Sequence, residues 1–379
     1  MKKKIGIYIH IPFCVKKCLY CDFASFPLDE TGKMDAYIQA LLREMEEYKE
    51  LLKEYEADTV FIGGGTPSLL TGEEMMEILC KLRSVVNISG KAEISMEMNP
   101  GTIQKERLLA YRKAGINRVS VGLQSANDEE LKLLGRIHNY SQFLQNFQLL
   151  RECGFENINV DLMSGLPYQS METYEETLRK VAALNPEHIS AYSLIVEEGT
   201  PFYQHFGSEE GQKHLPGEEL DRQMYAFTKR YLEENGYERY EISNYAKPGY
   251  ECRHNLKYWN LEEYLGLGLS AASLVGKERY LNVATLADYT NDVTRCSQRE
   301  KTPVSTSDEM EEFMFLGLRT MKGVSKQAFA NRFGVELEEI YAPVIKKYEK
   351  LGLLKNEQNI SLSEAGIDVS NVIMADFLL

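Results

Sequence analysis

The chain lacks the features that would send it to several common fates. No apolar run approaches the ~20 residues of a membrane-spanning helix. Basic side chains are in deficit: Lys and Arg number 43 against 57 Asp and Glu, a net charge of −14. That balance argues against a general nucleic-acid binder and against a polybasic membrane-surface protein. Cysteines number seven, an odd count, and Cys80, Cys153, Cys252 and Cys296 are scattered, so no disulfide framework is expected. The opening MKKKIGIYIHIPF does not read as a signal peptide, because His10 interrupts its apolar run and no small-residue cleavage site follows. A reducing, cytoplasmic setting is expected.

What is present begins at HIPFCVKKCLYCDF, His10 to Phe23, which holds Cys14, Cys18 and Cys21. The spacing is C-x₃-C-x₂-C, directly after a β-branched run. Zinc ribbons usually pair two C-x₂-C hairpins, and this chain has no second one. A Cys₃His zinc staple would need its fourth ligand from a distance, and His10 sits in the strand itself. The other reading is a [4Fe–4S] cluster on three thiolates, which leaves one iron without a protein ligand and open to a substrate.

Short β-branched runs recur at Ile5–Ile9, Thr59–Ile62, Ala92–Met96, Arg118–Val121, Asn157–Leu162 and His188–Leu194. Helix-length amphipathic stretches separate them, near Met34–Tyr55, Glu73–Val86, Gln104–Ala114, Asn127–Leu134, Ser141–Glu152 and Met171–Leu184. Thr71 and Thr102 are expected N-caps, and Asn127-Asp-Glu-Glu places acid in a first turn. Strand–helix alternation implies an α/β fold with parallel strands, either a partial (β/α)₆ TIM-type barrel or a doubly wound sheet. In both, chemistry gathers at the C-terminal strand ends. Polar or glycine punctuation falls there: Cys14, Gly63–Thr66, Glu97, Gln124, Asp161 and Ser193.

The expected organisation is a barrel over residues 1–200, a barrel-completing segment over 201–296 and a C-terminal module over 308–379. Ser297–Ser307 reads as a linker. The module offers three helical patterns and a hairpin, which suggests a winged helix. Acidic side chains outnumber basic ones there by 12 to 8, so no DNA role is expected.

The cysteine spacing resembles the signature of radical S-adenosylmethionine (radical SAM) proteins. In that family the amino and carboxylate groups of SAM chelate the open iron, and an electron from the cluster can cleave the sulfonium to a 5′-deoxyadenosyl radical. A wider set of motifs, YIHIPFC, CLYCDF, FIGGGTPS, EMNP, RVSVGLQS, LGRIH, NVDLMSGLP, HNLKYW and LGLGLSAAS, resembles the oxygen-independent coproporphyrinogen III oxidase (HemN) family with its haem-chaperone branch. By that resemblance Tyr8, Cys14, Cys18, Cys21, Gly64 and Glu97 surround the cluster and its SAM. Tyr20, Gly65, Thr66, Gln124, Arg136 and Asp161 match positions that contact a second SAM in HemN. Ser193 and Ala272 are softer matches.

Three departures separate the branches. HemN carries a fourth cysteine where this chain has Phe23, and a substantial extension before its first strand, whereas four residues precede Ile5 here. The segment His254-Asn-Leu-Lys-Tyr-Trp259 resembles the H-N-x-x-Y-W motif associated with haem binding in the chaperones. From the residues alone it reads equally as a buried aromatic cluster with a hydrogen-bonded histidine. The resemblance makes His254 a haem ligand or a residue that shapes a haem site, with Cys252 a second candidate. It implies a haem chaperone with haem, haem-accepting proteins including respiratory ones, and an electron donor as partners, and it leaves a homodimer open. The alternatives are oxidative decarboxylation of coproporphyrinogen III, and radical methylation or ring opening of a tetrapyrrole.

Overall fold

The structure, a computed structural model, describes residues 2–28, 32–291 and 299–379. Cys296 and the first two positions of the expected linker lie outside them. Six parallel strands run side by side in chain order: β1 (Lys3–Ile11), β2 (Tyr55–Gly64), β3 (Asn87–Met98), β4 (Arg118–Gln124), β5 (Ile158–Ser164) and β6 (His188–Ser193). Alternation sets what each face does. In β1, Ile5, Ile7, Ile9 and Ile11 are wholly buried in the main core. The intervening Gly6, Tyr8 and His10 therefore point to the barrel interior.

Helices between the strands cover the outer face, as the periodicity requires. Thr71 caps the helix Gly72–Val85 through a reciprocal pair with Glu74. Thr102 is not a cap: the next helix starts at Lys105 after Gln104, and the Thr102 hydroxyl lies 2.6 Å from that of Ser68. The expected long helix from Met34 ends at Glu47 and is followed by a single turn, Lys49–Leu52, because β2 begins at Tyr55.

The sheet continues beyond both edges to twelve strands. Tyr264–Leu267 pairs in parallel with β1 and is followed by the antiparallel strands Ala272–Val275, Glu278–Leu281 and Thr302–Pro303. Asn244–Ala246 pairs antiparallel with β6, and Glu238–Glu241 follows it. The two end strands are not neighbours, so the barrel stays partial and open.

The helix Arg253–Trp259, which carries HNLKYW, plugs the lower end of this barrel. Lys257 pairs with Asp58 of β2 at 2.9 Å, and the Glu93 carboxylate of β3 accepts from the Arg253 and His254 amides. A Cβ on Gly6 would lie 2.9 Å from Lys257 and 3.3 Å from His254, so glycine lets the plug approach β1.

The C-terminal module has its own core, built from helices Thr306–Gly317, Lys326–Phe333 and Leu337–Lys350 with the hairpin Leu354–Asn356 and Asn359–Leu362. It is seated on the barrel through apolar packing, Phe313 and Leu316 beside Leu261 and Tyr264, and through polar contacts. The Arg319 guanidinium lies 4.4 Å from the Trp259 ring and 3.7 Å from the buried Glu241 carboxylate, and Arg239 pairs with Glu364 at 2.8 Å. Among the described residues no helix is long and apolar enough to cross a membrane.

Candidate functional site

A cavity of about 560 Å³ opens at the C-terminal ends of the strands. All three clustered cysteines, and all ten residues expected to hold cofactors, line it. Strand-end position, which is a weak signal at any single residue, therefore gathers one site from five strands and the loop after β1.

The cysteine loop is tied down at several points. Cys14 lies in a two-residue bridge with Phe26–Pro27. Its sulfur accepts from the Thr66 hydroxyl at 3.5 Å, and the Cys18 sulfur from Arg136 Nη1 at 3.3 Å. Arg136 also donates to the Gly122 carbonyl, which fixes its fork. Burial pushes the Cys14 and Cys21 thiols up, while Lys17 pulls both back. Among the described residues no three His, Cys, Asp or Glu converge on a single metal ion. Three thiols on one cavity wall, backed by hydrogen-bond donors, are compatible with the wider frame of a polynuclear cluster.

Beneath the loop, His10 spans from Tyr8 to the far side of the cysteine segment. Its Nδ1 lies 2.9 Å from the Tyr8 hydroxyl and its Nε2 2.8 Å from the Ala24 carbonyl. The ring also fills the space under Gly64, where a Cβ would meet it at 2.5 Å and where φ is +113°. Gly65 is closer still to backbone: a Cβ would sit 2.6 Å from the Phe13 carbonyl oxygen. The Gly65 and Thr66 amides donate to Ile11 and Phe13 carbonyls at 2.8 and 2.7 Å, locking the two loops together. The glycine-rich stretch thus presents bare backbone to the cavity.

The adjoining wall is acidic. Glu97 accepts from the Gly64 amide at 2.9 Å, and burial, followed by the repulsion of Asp161, lifts its carboxyl to about 7. Burial also raises Asp161, against hydrogen bonds from Asn159, Ser190 and Ser120. Gln124 adopts φ +74°, and its amide oxygen accepts from Tyr192 at 3.1 Å. A cationic ligand would relieve this pair of disfavoured carboxylates. SAM carries an ammonium and a sulfonium, so this set of acceptors fits it.

Some expectations need correction. Ala272 does not line the cavity; it packs beside Leu261, Tyr264 and Leu274. His254 forms part of the cavity's floor, with both ring nitrogens held in hydrogen bonds. It is 1% exposed, with Nδ1 2.9 Å from Thr59 Oγ1 and Nε2 2.9 Å from the Tyr258 hydroxyl. Its ring stacks on Phe61 at 5.3 Å, and burial lowers its pKa to about 3. The buried-cluster reading of HNLKYW describes this geometry. Cys252 is likewise wholly buried against Glu93, and burial pushes its thiol up to about 12.

Several site residues were missed from sequence. His10 lies within β1, with no ligand spacing to mark it. Arg118, Ser120 and Asn159 line the cavity floor, and Arg118 is 2% exposed although it opens a strand. The signal was available: these positions share strand parity with Gln124 and Asp161 and must face the same way.

The comparisons with known proteins agree with this architecture. A model of the radical SAM superfamily matches residues 8–181, and one of the HemN C-terminal domain matches 304–369. The chain is 37% identical over 375 residues to the heme chaperone HemW of Bacillus subtilis, covering 98% of each. It is 35% identical to HemW of Lactococcus lactis, covering 100% of this chain and 98% of that one. Against HemW of Escherichia coli the identity is 42%, over 70% of this chain and 69% of the relative. The solved structure of E. coli coproporphyrinogen III oxidase HemN, a radical SAM enzyme, superposes with a TM-score of 0.86 at 24% identity, over all of this chain and 90% of that one. That likeness shows the fold.

Proposed function

The chain belongs to the HemW family of the radical SAM superfamily, and from that membership we propose that it binds haem and passes it to haem-requiring proteins. The observation that carries the proposal is the 37% identity to a curated haem chaperone along 98% of both chains. Superfamily membership implies a [4Fe–4S] cluster and SAM.

In this reading Cys14, Cys18 and Cys21 hold three irons, and the fourth is left for SAM. When bound, the cluster supplies an electron able to cleave the sulfonium. The protein's own part is placement. Glu97 and the Gly64 backbone receive the SAM ammonium, and Tyr8, held by His10, closes the wall beside them. Tyr20, Gly65, Thr66, Gln124, Arg136 and Asp161 complete the polar lining. Arg136 donates to the Cys18 sulfur, which couples that lining to the cluster.

Phe23 favours the chaperone over the oxidase. It stands where HemN has its fourth cysteine, lines the cavity mouth and is 61% exposed, so the mouth carries an apolar ring in place of a thiol. Haem-accepting proteins and an electron donor complete the proposal, set in a reducing cytoplasm that keeps the thiols free.

The test is to reconstitute the cluster anaerobically, then assay haem binding and coproporphyrinogen decarboxylation side by side. Stoichiometric haem uptake with no protoporphyrinogen formed is expected. Multiple-turnover decarboxylation would sink the proposal.

A further inference from the structure

If the chain binds haem through an imidazole, few of its six histidines can take part. His10, His138, His188 and His254 are all buried. His10, His188 and His254 also have both ring nitrogens in internal hydrogen bonds. Only His205 and His214 are exposed. Both lie between β6 and the helix Glu218–Glu234.

The helix that follows this connection reaches the cavity rim. Asp221 accepts from Ser193, a residue of the lining, at 2.7 Å. The His214 carbonyl accepts from the Tyr168 amide at 2.8 Å, and the two rings lie 4.9 Å apart. Tyr168 is unusual in two respects. It is a bulky residue held at φ +62°, a region that favours glycine, and its ring is 67% exposed. The loop after β5 thus holds a strained backbone and leaves an aromatic face in solvent beside an accessible imidazole. The neighbouring loop, tied to it by the Leu194 amide on the Ser164 carbonyl at 2.8 Å, presents Ile195 at 69% exposure. His205 lacks such a platform: its one close ring is Phe206, which is buried.

We infer that His214 supplies an imidazole ligand to haem iron on the rim of the cavity, with the Tyr168 ring against the porphyrin. A neutral imidazole is a good haem ligand, and a flat exposed ring beside it suits a flat apolar macrocycle. The inference rests on the proposed haem binding and moves the ligand from the buried His254 to the surface.

The test titrates ferric haem into the full, cluster-reconstituted chain and into its His214→Ala, His205→Ala and Tyr168→Gly variants. His214→Ala should weaken binding at least tenfold and shift the Soret band, with added imidazole restoring the band position. His205→Ala should match the unsubstituted chain. Tyr168→Gly should weaken haem binding without lowering Tm, because glycine relieves the positive φ; a merely structural Tyr168 would leave haem binding unchanged. Haem uptake with the same affinity and Soret position in His214→Ala overturns this inference alone. No uptake by the unsubstituted chain overturns both it and the proposed function.

Discussion

The Gly64 amide donates to Glu97 on the neighbouring strand, at 2.9 Å, from a backbone with φ +113°. The bond joins the glycine-rich loop after β2 to the end of β3 and gives a strongly desolvated carboxylate its one backbone donor. That carboxylate is held near 7, where small changes of pH alter its charge.

SAM binding should follow this titration. The ammonium of SAM favours the ionised carboxylate, so affinity is full above pH 7 and falls as Glu97 protonates below it. Equilibrium binding of SAM to the reconstituted protein between pH 6 and 8.5 should show the decline. Glu97→Gln should flatten the profile and weaken binding by roughly 10-fold or more, the scale of a lost charge-assisted hydrogen bond. In the ligand-free protein the sign reverses. A carboxyl raised in the folded state destabilises that state as pH rises from 4.5 towards 7, so Glu97→Gln should raise Tm at pH 8.

Gly65→Ala should disrupt the site more than an alanine ordinarily does. Its Cβ meets the Phe13 backbone at 2.6 to 2.9 Å, and backbone cannot rotate away. We expect a loss of about 2–3 kcal/mol, typical of overpacking, together with reduced iron incorporation. Denaturant unfolding and iron analysis would check both.

Cys18→Ala should abolish the absorbance expected at about 400 nm for a thiolate-bound iron–sulfur cluster. Retention of that band and of four irons per chain would end the cluster argument. Arg136→Met leaves the three thiols in place but removes a cationic donor to the Cys18 sulfur. The cluster should then form with a lower reduction potential, because an electron-rich cluster loses a stabilising positive charge. Spectroelectrochemical titration would measure the shift.

His254 is expected to act on stability. Its pKa near 3 lies below the ordinary 6.5, so its contribution is present above pH 6.5 and is lost as pH falls towards 3. Each pH unit below 6.5 costs about 1.4 kcal/mol for one such group. His254→Asn should remove close to one proton from the pH slope of unfolding between pH 6 and 4.5, while costing stability at pH 8 through the Thr59 and Tyr258 partners it leaves. An unchanged slope would show that His254 is not neutral and buried.

Much of this was readable in the residues because their patterns are local. Period-2 runs gave the six parallel strands, and Thr71 with Glu74 gave a helix start. Strand-end polarity then brought Glu97, Gln124 and Asp161 to one cavity. The edge strands were not readable: Glu238–Glu241, Asn244–Ala246 and Ala272–Val275 hold three or four residues each, too few for a period to show. Thr102 misled because a threonine before a helix caps it only when the backbone turns at that residue, and here Ser68 takes its hydroxyl. His254 shows a different limit. A motif names residue types, whereas ligand capacity depends on free lone pairs, and those are set by Thr59 and Tyr258 from elsewhere in the chain.

The seam between barrel and C-terminal module carries a consequence for experiment. Trp259 is the chain's single tryptophan, and its indole lies under the Arg319 guanidinium with its N–H buried and unpartnered. The same helix carries His254, which stacks on Phe61 directly below the cavity. Intrinsic indole fluorescence therefore comes from one place, at the joint where the module meets the plug. Emission wavelength and quencher access should record whether that joint loosens when SAM or haem is added, with no label attached.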